Sequence, residues 1–184
     1  IDLMGFSLGG NLTLKFVGES KSLLNKAVAI SVPCDLKSSC HKIEKGFNKF
    51  YNKRFVCSLK SKILHKIEVF PNFKLSQEQV NKVKTVYEFD ELYTAPFHGY
   101  KNADDYYQKC SSKWFIKNIT TPTLLINALD DPFLTPECFP FEETSNNSNV
   151  TFLTPKHGGH VGFMESINDK TLWSERQILN FLNL

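Results

Sequence analysis

Four short apolar runs lie along the chain, and each has the length of a β-strand buried in a sheet. They cover residues 1–4, 27–32, 122–128 and 150–153, and Gly5 stops the first of them. Continuous apolar runs of this length are typical of strands that are covered on both faces, as in a parallel sheet. The pattern therefore predicts a sheet of parallel strands.

Two segments carry apolar residues at helical spacing next to these runs. Residues 8–17 predict a helix that ends near Gly18, and residues 172–182 predict a closing helix. The order is then strand, helix, strand, insertion, strand, strand, helix. This order predicts an α/β fold with a parallel sheet flanked by helices.

The insertion, residues 35–118, differs in character from the rest of the chain. It is rich in Lys, Asn, Phe and Tyr and shows helical periodicity, including a helix over 77–86 with Ser76 as its N-cap. We therefore expect three segments of one domain: the first two strands and the helix between them in 1–34, a helical insertion in 35–118, and the remaining strands and last helix in 119–184.

Composition excludes several functional classes. The 184 residues are 41% hydrophobic and 22% charged, as in an ordinary globular protein, with a net charge of only +3. We expect no basic stripe and no nucleic-acid partner. The five cysteines form no C-x-x-C pair, so we expect free thiols and no metal site.

Residues 5–9 form a G-x-S-x-G motif between the first strand and the first helix. A serine at such a turn is held in a strained backbone conformation that exposes its hydroxyl, which predicts Ser7 as a nucleophile. Gly5 and Gly9 are expected because side chains there would clash. The backbone N–H of Leu8 is the predicted oxyanion donor.

A serine nucleophile needs a base, and His160 is the preferred candidate. It lies in the Gly-rich loop between the last strand and the last helix, where the order Ser, Asp, His places the base. His157 in the same loop is the alternative. A glycine pair, Gly158 and Gly159, precedes His160 and favours its approach to the serine.

The base needs an acid, and Asp131 is the preferred candidate. It follows the strand at 122–128 and precedes Pro132. Asp130 beside it is the first alternative, and Asp35, which follows the strand at 27–32, is the second.

The chain resembles the YheT-type α/β-hydrolases over essentially its whole length. Seven motifs carry this resemblance in the same order, at residues 5–11, 31–33 with 35–36, 88–90 with 93–96, 98–99, 105–107, 130–133 and 157–163. The resemblance implies a serine esterase or lipase that acts on esters of short- to medium-chain acyl groups without a cofactor or metal. It maps the triad onto Ser7, Asp131 and His160 and makes the helical insertion a cap.

The resemblance also implies relatives that cleave phospholipid acyl esters or transfer acyl groups to alcohols. Acyl transfer by the same triad is therefore the first alternative to hydrolysis. A catalytically inactive fragment or binding module is the second.

The chain starts at Ile1, inside a predicted strand. Members of the family carry about half of the sheet, and a second oxyanion donor, upstream of this point. We therefore expect a truncated chain that folds poorly alone, because its first strand would be an unpaired apolar edge. We expect a cytoplasmic location, or membrane association through an upstream segment.

Overall fold

A computed structural model describes residues 1–20, 24–166 and 170–183. The chain forms two compact units. Unit 1 consists of Ile1–Ser39 and Cys110–Leu184, and unit 2 of Cys40–Lys109.

Unit 1 contains a sheet of four strands that are all parallel. These are β1 (Leu3–Phe6), β2 (Ala27–Ile30), β3 (Thr123–Ile126) and β4 (Val150–Leu153), in the order β1-β2-β3-β4. All residues of β2 and β3 are buried, as expected for the central strands of a parallel sheet. The predicted α/β architecture with a parallel sheet flanked by helices is confirmed.

The helices account for most of the remaining described structure. They are α1 (Leu8–Glu19), α2 (Leu36–Ile43), α3 (Lys49–Val69), α4 (Gln77–Lys82), α5 (Val86–Phe89), α6 (Ala95–Phe97), α7 (Ala103–Cys110), α8 (Phe141–Ser145) and α9 (Trp173–Leu182), with a π-helical turn at Asp90–Thr94 and 3₁₀ turns at Gly46–Asn48, Ser112–Trp114, Ile116–Asn118 and Pro136–Cys138. No helix in the described part of the chain is both long and apolar enough to cross a membrane.

Alternate residues of the central strands pack on opposite faces of the sheet. Ala27, Ala29 and Leu125 contribute to a core cluster that includes Leu14 of α1. Val28, Ile30, Leu124 and Ile126 contribute to a second cluster on the other face, with Phe163 and Ile178. This division follows from the two-residue repeat of side-chain direction in a strand.

Two predicted boundaries are wrong. Strand β1 continues through Gly5 to Phe6, whereas α1 ends at Glu19, near Gly18 as predicted. The helix predicted over 77–86 ends at Lys82 and a new one begins at Val86. Its start is confirmed: the Ser76 hydroxyl accepts from the Gln79 N–H, and the Gln79 side chain accepts from the Ser76 N–H.

The outer side of β1 and α1 is apolar and exposed. Within the described sheet β1 pairs with β2 alone. Met4 and Phe6 are 54% and 46% exposed, and Leu12 and Phe16 of α1 are exposed as well. The apolar residues of α1 thus occupy two faces, and only one of them faces the described core. Poor folding of the chain by itself stays a prediction.

Unit 2 is helical, and its core is formed by α3 to α5 and the segments that join them. Val56, Ile63, Val80, Val83 and Phe89 are buried together. Its cations are less evenly spread than we expected, since residues 45–67 contain seven Lys and Arg and no Asp or Glu. The expectation that the chain has no basic stripe is therefore wrong for this segment.

Candidate active site

Ser7 occupies the sharp turn between β1 and α1. Its φ of 52° and ψ of −122° place it where residues with a side chain are strained. Its N–H donates to the carbonyl of Ile30 on the neighbouring strand, at 2.8 Å. The turn is therefore held by the sheet, and strain of this kind is typical of a functional position.

Close packing at the turn involves Gly5 and Gly10. A Cβ on Gly5 would lie 2.3 Å from the carbonyl oxygen of Gly9, and one on Gly10 would lie 2.6 Å from Cγ2 of Val32. Apart from its chain neighbours and the backbone of its own helix, a Cβ on Gly9 would meet no described heavy atom within 4 Å. The prediction of a clash is thus right for Gly5 and wrong for Gly9. Gly5 packs against the backbone of Gly9, so there is no room for a side chain on Gly5.

The structure brings together the three preferred residues, Ser7, His160 and Asp131. Nε2 of His160 lies 3.1 Å from Oγ of Ser7, and Nδ1 lies 2.8 Å from Oδ2 of Asp131. The Asp131 side chain is fully buried and that of His160 is 18% exposed. With the proton on Nδ1, the imidazole donates to the carboxylate and its Nε2 can accept the serine proton.

The two rival residues pair with each other. Nδ1 of His157 lies 3.3 Å from Oδ2 of Asp130, and the His157 side chain is 87% exposed. Oδ1 of Asp130 accepts from the N–H groups of Gly158 and Gly159, at 2.9 and 2.8 Å. Asp130 therefore holds the loop that carries His160.

The charged form of Asp130 is stabilised by these contacts. Its slight burial acts to raise the pKa of the carboxyl, but the Gly159 N–H, the His157 ring and the Gly158 N–H outweigh this effect. The pKa of Asp130 consequently lies below its ordinary value.

Asp35, the third candidate acid, is paired elsewhere. Its carboxylate accepts from Nζ of Lys113 and from the Ser38 N–H. Burial acts to raise the pKa of Asp35, and these donors more than offset that effect and lower it. Of the three candidate acids, only Asp131 has a described contact with His160.

Two residues at the site were not predicted. Ser31 directly follows β2, is fully buried and has a φ of 55°, and its hydroxyl donates to the carbonyl of His160. The Phe133 ring lies 4.6 Å from that of His160, and its N–H donates to Oδ1 of Asp131 at 2.9 Å. A serine at the carboxyl end of a parallel strand was the available signal for Ser31. Its partner is a backbone atom 129 residues away, so spacing could not reveal the contact.

Leu8, the predicted oxyanion donor, is the first residue of α1. The N–H groups in the first turn of a helix have no partner within the helix and lie at its positive end. This position suits an N–H that stabilises an oxyanion beside Ser7. Among the described residues, no group of three His, Cys, Asp or Glu side chains is placed to hold a metal ion.

Comparison with known proteins finds similar sequences. YheT of Escherichia coli is 34% identical over 183 residues, which cover 97% of this chain and 54% of that protein. Phospholipase ABHD3 of Mus musculus is 33% identical over 166 residues, which cover 89% and 40% respectively. A monoacylglycerol lipase of Saccharomyces cerevisiae is 31% identical over 190 residues, which cover 99% and 42%.

The fold is also found among solved structures. The Pyrococcus furiosus esterase Pf2001 aligns with a TM-score of 0.54 and 19% identity, covering the whole of this chain and 52% of that one. No protein-family model matches the chain. The chain spans about half the length of the curated relatives it matches. Over that portion, the chain is similar in sequence to YheT and has the fold of an α/β-hydrolase.

Proposed function

We propose that the protein is a serine hydrolase that cleaves carboxylic esters through an acyl-enzyme. The observation that carries the proposal is the continuous hydrogen-bonded series from Ser7 through His160 to the buried Asp131, with distances of 3.1 and 2.8 Å. These are the distances at which a base can take the proton of a nucleophile.

In the first half of the reaction, Oγ of Ser7 attacks the ester carbonyl carbon as its proton moves to Nε2 of His160. The carbonyl oxygen becomes an oxyanion that accepts from the Leu8 N–H. The bond from carbon to the alkoxy oxygen then breaks, and the leaving alcohol takes the proton from His160. Asp131 keeps the imidazole in the correct tautomer and stabilises it while it is charged.

In the second half, water repeats the sequence on the acyl-serine. His160 takes a proton from the water, the new oxyanion forms and collapses, and Ser7 regains its proton as the carboxylic acid leaves. No cofactor or metal is required by these steps.

We assign the substrate to lipid or small-molecule esters with short- to medium-chain acyl groups. The names of two relatives, a phospholipase and a monoacylglycerol lipase, support a lipid ester. The resemblance to the YheT-type proteins supports the acyl length.

The test is covalent labelling with a fluorophosphonate probe in the full-length encoded protein. We expect labelling at Ser7, located by mass spectrometry, and none in the Ser7→Ala variant. A second serine variant, Ser38→Ala, should label like the wild type, since Ser38 has no described contact with His160. Equal labelling of Ser7→Ala and wild type, or a folded wild-type protein that does not label, would contradict the proposal.

A further inference from the structure

Two phenylalanines of unit 2 are unusually exposed at the start of its longest helix. Phe47 lies in the 3₁₀ turn before α3 and is 90% exposed, and Phe50 in the first turn of α3 is 68% exposed. The two residues are three apart in the chain. Exposed apolar side chains that cluster mark a site of interaction more often than a scattered single residue does.

Exposed cations lie on both sides of these rings in the chain. Lys45, Lys49, Lys53 and Arg54 are all exposed. We call these four residues, together with Phe47 and Phe50, the α3 patch. No carboxylate occurs between residues 45 and 67, which carry seven positive charges in a chain whose net charge is +3. The rest of the chain is therefore net negative, and the positive charge is concentrated on this element.

Phe50 and Arg54 of the α3 patch lie on the outer side of the helix. Val56 and Ile63 face the core of unit 2, and Phe50, Arg54 and Cys57 occupy the opposite side at spacings of three and four residues. Cations on the inner flank are already used within the unit, since Lys60 donates to the carbonyls of Asn81 and Val83. Lys49 and Lys53 lie nearer to that flank, one heptad before Val56 and Lys60, but their side chains are exposed.

We propose that the α3 patch docks on the surface of a membrane that contains anionic lipids. Phenyl rings that enter the boundary between headgroups and acyl chains, flanked by lysines that remain at the headgroups, are the pattern of an interfacial helix. The concentration of positive charge complements a negative lipid surface. A nucleic acid is less well matched, because the only guanidinium of the patch is Arg54 and the outer row continues with Cys57 and Ser61. The proposal does not depend on ester hydrolysis.

The test is co-sedimentation of the full-length encoded protein with phosphatidylcholine vesicles, with and without about 30% phosphatidylserine. We expect stronger binding to the anionic vesicles and a loss of the difference at high salt. Each cation close to an anionic surface strengthens partitioning about fivefold. Lys53→Glu with Arg54→Glu removes two such cations and should therefore weaken partitioning to the anionic vesicles at least about 25-fold. Phe47→Ser with Phe50→Ser should weaken binding to both kinds of vesicle.

Two control variants make the same change in net charge, or remove one exposed ring, in unit 1. Lys117→Glu with Lys156→Glu reverses two exposed cations of unit 1, and Phe141→Ser removes a ring that is 55% exposed in the same unit. Both control variants should bind like the wild type. Circular dichroism establishes that each variant is folded.

A fluorophore on Cys57 provides a second measurement. Cys57 is exposed beside the patch and the other four cysteines are buried. An environment-sensitive label there should shift to shorter wavelength with anionic vesicles and not with neutral ones.

Three outcomes would overturn the proposal. In the first, the patch variants and the controls bind the vesicles equally well. In the second, binding does not respond to lipid charge. In the third, the patch variants lose binding to single-stranded RNA but keep binding to vesicles.

Discussion

Replacement of Asp131 by Asn tests the tautomer of His160 directly. Both carboxylate oxygens of Asp131 are engaged: Oδ1 accepts from the Phe133 N–H at 2.9 Å, and Oδ2 lies 2.8 Å from Nδ1 of His160. In Asp131→Asn, the Phe133 N–H requires the amide oxygen at the Oδ1 position. The amide NH₂ then faces Nδ1 and donates to it, so the ring proton moves to Nε2. In this tautomer the base cannot accept the proton of Ser7.

The expected cost is large because the side chain is fully buried and water cannot replace the contact. A wrongly set tautomer lowers turnover by about 10,000-fold in enzymes of this type. That factor corresponds to about 5.4 kcal/mol of transition-state stabilisation. The substitution is nearly isosteric, so the fold should be preserved.

Asp130→Asn is the matched control, since it makes the same change one residue earlier. Its amide oxygen can still accept from the N–H groups of Gly158 and Gly159. Its NH₂ then faces His157, whose exposed ring can adopt either tautomer. We expect less than about a fivefold loss of kcat/KM, the equivalent of one ordinary hydrogen bond.

The assay is hydrolysis of p-nitrophenyl butyrate by the full-length encoded protein, with kcat and KM measured separately. Asp131→Asn should lower kcat and leave KM nearly unchanged, because the contact acts on the transition state. The reasoning would be refuted by an Asp131→Asn variant within tenfold of the wild type, or by equal losses in the two Asn variants.

Three further predictions concern other contacts. Ser31→Ala removes the hydroxyl that donates to the His160 carbonyl and should lower kcat about fivefold with KM unchanged. A change in KM with no change in kcat would contradict this role. Burial raises the pKa of Asp90, against hydrogen bonds from Thr94 and Tyr107, so its contribution to stability is present at acidic pH and is lost as pH rises through that pKa. Thermal unfolding from roughly pH 4 to pH 8 should therefore show a smaller decline in Tm for Asp90→Asn than for wild type, and parallel curves would oppose the assignment. Of the five cysteines of this chain, only Cys57 should be modified when native protein is treated with iodoacetamide, since the other four are buried, and peptide mass mapping would check this.

The sequence did not decide how the two candidate acids and the two candidate bases pair. Asp130 and Asp131 are adjacent, and His157 and His160 share one loop. Sequence order alone is compatible with several pairings of these four. The structure separates them because neighbouring residues in a turn point in different directions. Asp131 points into the protein towards His160, and Asp130 points to the loop backbone and His157.

The sequence by itself determined the order and type of the main elements. The apolar runs were sufficient for four parallel strands, because central strands buried on both faces need continuous apolar residues. The turn at Ser7 was also readable, since its glycines and its place between strand and helix are local features. The boundary at Gly5 was less accurate, because this glycine is accommodated within a regular strand.

Only the tertiary structure decided the contacts between distant segments. Ser31 bonds to a carbonyl 129 residues away, and His160 meets Ser7 across 153 residues. The exposure of Phe47 and Phe50 is likewise a tertiary property, because aromatic residues at helical spacing are compatible with either the core or the surface. Such contacts depend on how the sheet brings the ends of its strands together, and no local pattern in the chain encodes that arrangement.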